Sequence, residues 1–157
     1  MIDAKRRTLL KGSLGVSAIG VAVSAGLLTP AMVLANWPKA AFEATDVNAA
    51  LSDLLGSDAM ETSDKVKIKA PDIAENGAVV PVTVESDVEG AKSISIIASG
   101  NGTPLVASFQ MGENAIPYAS TRIKMAKTAD VVAVVQTDSG LLSAAKPVKV
   151  TIGGCGG

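Results

Sequence analysis

The hydrophobic and polar positions change period once along the chain. Between Val47 and Leu55 apolar residues recur at intervals of three and four, which predicts a short amphipathic helix. Thr45 or Asp46 is suited to cap its N-terminus, and Gly56 is suited to end it. The apolar stripe of this helix needs a cover. We expect that cover to be the sheet of the same domain, with a partner chain as the alternative.

From Lys65 onward apolar and polar residues alternate, which predicts β-strands with one buried face. Because aromatic residues are only 3% of the chain, the core must be built from Val, Ile, Leu and Ala. Turn-forming sequences separate the strands at Asn76-Gly77, Glu89-Gly90, Asn101-Gly102 and Asp138-Ser139-Gly140. The Asn-Gly pairs are the strongest hairpin signal among them. Seven strands are predicted, around Val66–Ile68, Val80–Val84, Ile94–Ile96, Leu105–Phe109, Thr121–Ala126, Val131–Gln136 and Val148–Ile152.

Seven short strands with one short N-terminal helix predict an all-β fold, an immunoglobulin-like antiparallel β-sandwich. The segment Val131–Val135 is apolar on both faces, so its strand either is central in a sheet or has its outer face covered by a partner. Lys65, Lys67 and Lys69 alternate along the first strand. We interpret these lysines as protection of an exposed sheet edge rather than as an anion site.

The chain contains no histidine and a single cysteine, Cys155. This composition excludes His/Cys zinc sites, Ser-His-Asp and Cys-His catalytic sets, and any intramolecular disulfide. The acidic residues are scattered, and no EF-hand-like or Gly-Lys-Ser/Thr phosphate-binding sequence is present. We therefore predict a protein that is not an enzyme and has no bound metal or cofactor. The mild acidity of the chain after Ala35 also argues against nucleic-acid binding.

Paired arginines stand near the start of the chain. Arg6 and Arg7 precede two leucines and a lysine, and a mildly apolar segment follows to Ala35, a pattern similar to a twin-arginine export signal. Small residues before Asn36 predict cleavage after Ala35 and a periplasmic mature protein. The alternative is an uncleaved transmembrane anchor, but the segment is rich in Gly, Ala and Ser and is interrupted by Pro30. We therefore expect no stable membrane association.

The last predicted strand is followed by Gly153-Gly154-Cys155-Gly156-Gly157. Glycine leaves φ and ψ almost unrestricted, and the thiol is the only functional side chain here, so a slim and flexible arm is predicted. A free exposed thiol is a liability in an oxidising compartment, which favours a function for it. The sequence supports a carrier whose thiol enters pockets of other proteins, while those partner enzymes supply the catalysis. An adaptor that uses Cys155 only for an intermolecular disulfide is the alternative.

These residues resemble the SoxY family, the sulfur-carrier subunits of the bacterial Sox thiosulfate-oxidation system. The similarity begins at Trp37-Pro38 and the helix that follows. It passes through residues 118–126 and ends on 148–157, the strand that carries the glycine-flanked cysteine. That pentapeptide on a strand is highly specific when it is combined with twin-arginine export.

The resemblance implies that Cys155 is the covalent attachment site for sulfur intermediates and that Gly153, Gly154, Gly156 and Gly157 form its carrier arm. It also implies a heterodimer with a SoxZ-like subunit that lacks an export signal of its own. In such a system a haem c-containing SoxAX joins thiosulfate to the thiol, the SoxB hydrolase releases sulfate, and a sulfane dehydrogenase acts on the remaining sulfur. The expected organisation is a signal peptide at 1–35, a SoxY-like β-sandwich at 36–152 and the carrier arm at 153–157.

Replacing both Arg6 and Arg7 with lysine is expected to block export, because a receptor reads the arginine pair as an address and lysine does not reproduce the guanidinium fork. Cell fractionation followed by immunoblotting measures the periplasmic amount. An unchanged periplasmic amount of the double variant would contradict the twin-arginine interpretation.

Overall fold

The computed structural model describes residues 37–151. The chain divides after Trp37, and the description below concerns the unit that begins at Pro38. Within the described residues the helices are α1 (Lys39–Glu43) and α2 (Val47–Leu55). The strands there are β1 (Met60–Thr62), β2 (Val66–Lys69), β3 (Ile73–Ala74), β4 (Val80–Ser86), β5 (Ser93–Ala98), β6 (Leu105–Gln110), β7 (Tyr118–Ile123), β8 (Ala129–Thr137) and β9 (Gly140–Val150).

The strands form two sheets that pack face to face. The larger sheet has the order β1-β9-β8-β5-β6, with β3 also paired to β9, and the smaller sheet has the order β2-β4-β7. Most neighbours are antiparallel, but β1 and β3 both run parallel to β9. The predicted β-sandwich is confirmed, and the two short parallel pairings are additions that the sequence did not indicate.

The core between the sheets consists of branched aliphatic side chains. Val82 and Val84 of β4 share one buried cluster with Ile94 and Ile96 of β5, and with Val148 of β9. All five have at most 1% of their surface exposed. The scarcity of aromatic residues therefore leads to a core in which β-branched side chains fill the space between the pleated surfaces.

A second cluster covers the outer face of the larger sheet. Ala41 of α1 and Leu51 of α2 pack there with Ile97 of β5 and Val134 of β8. Strand β8 lies between β5 and β9, so it is central, and both of its faces are buried by this chain itself. The apolar outer face of Val131–Val135 is thus explained by the helices and needs no partner, and the expectation that the helix packs on its own domain is confirmed.

The ends of α2 follow the sequence signals closely. Asp46 is the N-cap, and its carboxylate accepts hydrogen bonds from the backbone N–H groups of Asn48 at 2.9 Å and Ala49 at 3.0 Å. Gly56 ends the helix with a φ of 77°, a conformation in which a side chain is disfavoured. The shorter α1 was not predicted, because a single helical turn is too short to show a period.

Two strand boundaries differ from the prediction. Strand β7 begins at Tyr118 rather than near Thr121, and β9 begins at Gly140 rather than near Val148. The part of β9 before Val148 contains Pro147 and shows little alternation of apolar and polar residues, and its extended form comes from pairing with β8. Successive backbone N–H groups of a strand point to opposite sides, so position 147 faces the same side of β9 as Lys149, toward β1 and β3. Among the described residues, β1 pairs with residues 141–143 and β3 with residues 149–150, so Pro147 lies in the gap between them and its lack of an N–H costs no strand pairing.

Of the predicted turn sequences, one forms a hairpin between neighbouring strands and another connects the two sheets. Asp138-Ser139 forms the two-residue turn of the β8–β9 hairpin, in which Thr137 pairs with Gly140. Asn76-Gly77 does not join a hairpin, because β3 belongs to the larger sheet and β4 to the smaller one. There the chain crosses between sheets, and the Asn76 side chain accepts a hydrogen bond from the Ala78 N–H at 2.8 Å.

The predicted lysine strand, β2, lies at the edge of the smaller sheet. Lys67 pairs with Asp87 at 2.7 Å, and Lys69 pairs with Glu85 at 2.6 Å. The hydrogen bond and charge of Asp87 raise the pKa of Lys67, and Lys67 lowers the pKa of Asp87 in return. These side chains therefore lie on the solvated face of an edge strand, as the protective interpretation requires.

Leu51→Ala is expected to lower the free energy of unfolding by about 3 kcal/mol, because it empties a fully buried position between α2 and the larger sheet. Chemical denaturation measures the change. Leu54→Ala is the matched control on the same helix: Leu54 is only partly buried, so its truncation should cost less. An equal cost for both variants would contradict the packing described for α2.

Candidate functional site

The candidate site is the place where β9 continues toward Cys155. Cys155 and its neighbours Gly153, Gly154, Gly156 and Gly157 lie outside the described residues, as does the predicted burial of Ile152. The signal residues Arg6 and Arg7 also lie outside them. The structure does describe the chain up to Thr151, four residues before the thiol.

On one side, the end of β9 is held by the two-residue strand β3. The backbone N–H of Lys149 donates to the carbonyl of Asp72 at 2.9 Å, and the N–H of Thr151 donates to the carbonyl of Ala74 at 3.1 Å. The Thr151 hydroxyl adds a longer contact to the same carbonyl of Ala74, at 3.4 Å. Strand β3 thus extends the sheet to the last described residue.

On the other side, the hydroxyl of Thr128 takes the place of a paired backbone. Thr128 precedes β8, whose last pair with β9 is Ala129 with Val148. Its Oγ1 accepts a hydrogen bond from the Val150 N–H at 2.9 Å and donates to the Val150 carbonyl at 3.3 Å. One side chain therefore continues the hydrogen-bond ladder beyond the end of the strand pair.

These contacts define an arm root, which consists of Val150 and Thr151 with their partners Thr128 and Ala74. Three consecutive amides, at Lys149, Val150 and Thr151, are all hydrogen-bonded, on alternate sides of the chain. The fixed part of the chain therefore extends to Thr151. At 3.3–3.6 Å per residue, four further residues place Cys155 at most about 14 Å from that point.

The loops around the arm root are tied together. The Asn101 side chain accepts from the Ala126 N–H at 2.8 Å and donates to the Lys124 carbonyl at 2.7 Å. The N–H of the buried Met125 between them donates to the Gly77 carbonyl at 2.7 Å. We call this end of the sandwich, with residues 75–79, 99–104, 124–128 and the end of β9, the arm end.

The contacts that fix the arm root are backbone and hydroxyl hydrogen bonds. Across residues 37–151 no three His, Cys, Asp or Glu side chains are grouped so that they could hold a metal ion. No helix in the same range is long and apolar enough to cross a membrane. The resolved pKa shifts of Lys67 and Asp87 belong to β2 and the chain after β4, away from the arm root. The described residues therefore end on a fixed strand, four residues before the sole cysteine of the sequence.

Sequence reasoning missed the residues that fix this root. Thr128 and Ala74 belong to no recognisable motif, and their roles depend on the register of β8 and β3 against β9. Asn101 was assigned only to a turn, although its amide joins two loops that are 23 residues apart. The only available signal for Thr128 was a hydroxyl residue directly before a predicted strand, which is too common to be informative.

Thr128→Val is expected to increase hydrogen exchange at the Val150 amide about fivefold, because it removes the acceptor of a bond worth about 1 kcal/mol. Exchange measured by NMR or mass spectrometry tests this. Thr128→Ser keeps the hydroxyl and should retain protection. Thr137→Val is a matched control at the other end of β8, where Thr137 donates to Gly140 at 3.0 Å. Unchanged hydrogen exchange at the Val150 amide in Thr128→Val would show that the Thr128 hydroxyl does not hold the end of β9.

The chain is similar to the solved structure of the sulfur carrier protein SoxY from Chlorobium limicola f thiosulfatophilum, with 47% sequence identity and a TM-score of 0.60. That similarity covers 66% of this chain and 94% of the other. It is also similar to the fibronectin(III)-like modules of Clostridium thermocellum CbhA, at 19% identity and a TM-score of 0.41 over 54% of this chain and 93% of that chain. No curated protein sequence matches the chain significantly.

The family model of the sulfur oxidation protein SoxY matches residues 51–155. The matched range begins within α2, includes every strand described above, and ends on Cys155. The resemblance seen in the sequence is confirmed, and the chain belongs to the SoxY family of sulfur oxidation proteins.

Proposed function

We propose that this chain is a periplasmic sulfur carrier of thiosulfate oxidation, which holds sulfur intermediates covalently on Cys155 and presents them to partner Sox enzymes. One observation carries the proposal: the sole cysteine lies four residues beyond a root that is hydrogen-bonded on both sides. Membership of the SoxY family and similarity to a sulfur carrier protein support it.

The residues next to the thiol do not activate it. Glycines flank Cys155 on both sides, so no cationic side chain adjoins it in the sequence to stabilise the thiolate. A free cysteine is ionised to only a few per cent at neutral pH, since its pKa is about 8.5 unless nearby cationic groups lower it. The partner enzyme that receives the arm must therefore remove the proton, and the carrier contributes position and access.

Loading forms one sulfur–sulfur bond. The Cys155 thiol and the sulfane sulfur of thiosulfate join, the thiol loses its proton, and two electrons pass to the haem c-containing partner, SoxAX. The product on the carrier is a cysteine S-thiosulfonate, which carries one negative charge. The oxidant belongs to the partner, so the carrier itself needs no redox cofactor.

Unloading begins with hydrolysis by the SoxB hydrolase. Water attacks the terminal sulfone sulfur, the bond between that sulfur and the sulfane sulfur breaks, and sulfate leaves. Two protons are released, and a persulfide anion remains on Cys155. A sulfane dehydrogenase then takes six electrons from the outer sulfur, while three water molecules supply its oxygens and six protons are released, which leaves a cysteine S-sulfonate. A second hydrolysis breaks the remaining sulfur–sulfur bond, releases sulfate and one proton, and restores the Cys155 thiol. In this proposal the carrier works as a heterodimer with a SoxZ-like subunit, and twin-arginine export carries the folded pair.

Cys155→Ser is expected to leave the fold and the heterodimer intact and to abolish thiosulfate-dependent turnover, because the thiol is the only one in the chain. Intact-mass analysis of periplasmic protein tests the covalent step directly. Wild-type protein should carry additions of sulfur atoms or a thiosulfonate on the peptide that contains Cys155. A mass that shows only free thiol and disulfide-linked dimer would instead support an adaptor that uses Cys155 for linkage.

Replacement of Gly153 and Gly154 by valine separates access from chemistry. β-Branched residues stiffen the backbone and widen the arm, so turnover by the partner enzymes should fall nearly as far as in Cys155→Ser. Reaction of Cys155 with a small alkylating reagent should remain normal. Normal loading and unloading of this variant would show that a slim arm is not the mechanism.

A further inference from the structure

Two Asn-Gly sequences lie at the arm end, and their side chains have different surroundings. Asparagine loses its amide group most readily before glycine, because glycine has no Cβ to obstruct attack by its backbone nitrogen. Asn76-Gly77 lies between β3 and β4, and Asn101-Gly102 lies between β5 and β6. Since the two pairs share this local sequence, a difference in their reactivity must come from the fold.

This deamidation has two steps and needs only water. The glycine nitrogen attacks the Cγ carbon of the asparagine side chain and gives up its proton, and the amide group leaves with that proton as ammonia. A succinimide ring remains, closed by the new bond between the glycine nitrogen and Cγ. Water then opens the ring and one proton is released. Breakage of the new bond gives aspartate, and breakage of the original peptide bond gives isoaspartate, whose backbone is longer by one methylene.

The amide of Asn101 is bound to another loop. Its Oδ1 accepts a hydrogen bond from the Ala126 N–H at 2.8 Å, and its Nδ2 donates to the Lys124 carbonyl at 2.7 Å. Attack by the Gly102 nitrogen turns the amide group and then releases it, so both bonds have to break. Their loss is expected to slow the reaction about 30-fold.

The amide of Asn76 is bound to its own backbone instead. Asn76 is exposed, and its Oδ1 accepts a hydrogen bond from the Ala78 N–H at 2.8 Å. Negative charge develops on Oδ1 when the Gly77 nitrogen attacks Cγ, so this donor stabilises the transition state. Within residues 37–151 neither Nδ2 of Asn76 nor the N–H of Gly77 has a hydrogen-bond partner, so no such bond has to break before ammonia leaves.

Position 76 lies between two fixed points of the arm end. Before it, the Ala74 carbonyl accepts from the Thr151 N–H at 3.1 Å, and after it the Gly77 carbonyl accepts from the Met125 N–H at 2.7 Å. An extra backbone methylene at position 76 changes the span between these two bonds. Strand β3 has only two residues, whereas Met125 is buried in the core, so the bond that yields is the one from β3 to the arm root.

We propose that Asn76 is a site of spontaneous deamidation in the folded protein, and that its isoaspartate form releases Thr151 from β3. Asn101, which is also followed by glycine, is protected by its two hydrogen bonds. The inference goes beyond the proposed carrier function and does not depend on it, because the chemistry requires only this chain and water. It identifies a covalent change through which an aged chain loses part of its arm root.

The test compares the two asparagines in one sample of the full chain incubated at neutral pH. Mass spectrometry of tryptic peptides locates aspartate and isoaspartate at each position, and a sample unfolded in guanidinium chloride is the reference. In the unfolded chain both asparagines should react at similar rates, because glycine follows each of them. In the folded chain Asn76 should react about 30-fold faster than Asn101.

Hydrogen exchange at the Thr151 amide tests the structural consequence. It should rise about fivefold in the isoaspartate form, purified by chromatography, because one hydrogen bond to β3 is lost. Asn76→Asp is the matched control. It adds the same charge without the extra methylene, and its carboxylate can still accept from the Ala78 N–H, so the Thr151 amide should stay protected.

Each part of the proposal can fail separately. Equal rates at Asn76 and Asn101 in the folded chain would overturn the deamidation site, and burial of Gly77 would then be the reason that its nitrogen does not react. Unchanged Thr151 exchange in the isoaspartate form would overturn the effect on the arm root. An equal rise in exchange for Asn76→Asp would overturn the role of backbone length, because charge alone would then be sufficient.

Discussion

The antiparallel pairing of β8 with β9 is the interaction on which the rest of the structure depends. It runs from Ala129 opposite Val148 to Thr137 opposite Gly140, the full length of β8. The other edge of β9 holds β1 and β3, so a single strand organises three neighbours. Because β8 is buried on both faces, this hairpin joins the core between the sheets to the cluster under the helices. The strand that leads to Cys155 is therefore anchored in the centre of the domain.

A central strand is a suitable base for a short tether. Val148 is fully buried, and the chain reaches Thr151 only three residues later with each intervening amide bonded. The hydrogen-bonded part of β9 thus extends to Thr151, within four residues of Cys155. For a tethered group the local concentration falls roughly as the −3/2 power of tether length, so in the proposed carrier each residue that frayed from the arm root would lower the local concentration of the thiol at a partner's active site. The bonds of Thr128 and β3 limit this loss without adding reactive groups.

The elements that the sequence predicted are those with local causes. The cap at Asp46 and the glycine at Gly56 act within one turn of α2, and strands such as β4 and β5 show their alternation directly. The elements that it did not predict have distant causes. Strands β1 and β3 are two or three residues long and exist only because β9 offers an edge, and the first half of β9 is extended because β8 lies beside it.

The distinction between local and distant causes also applies to the candidate functional site. Cys155 and its glycines could be proposed as a carrier arm from the sequence because they stand in adjacent positions. Thr128 could not, because its hydroxyl meets Val150 only after 22 residues of chain have folded into a hairpin. Whether a partner or the chain itself covers the outer face of β8 was also left open by the sequence. The answer required the placement of Leu51 on that face, which is a tertiary contact.

A fixed root also bears on selectivity. In the proposed function Cys155 carries a persulfide or an S-thiosulfonate, which would be open to exchange with any thiolate that reaches it. The four residues that lead from Thr151 to Cys155 span at most about 14 Å, which limits the distance of the thiol from Thr151. In the proposed carrier, only a protein that comes close to Thr151 could then bring its active site within reach of the thiol. The backbone hydrogen bonds that fix the arm root would thereby also limit which thiolates the proposed sulfur group meets.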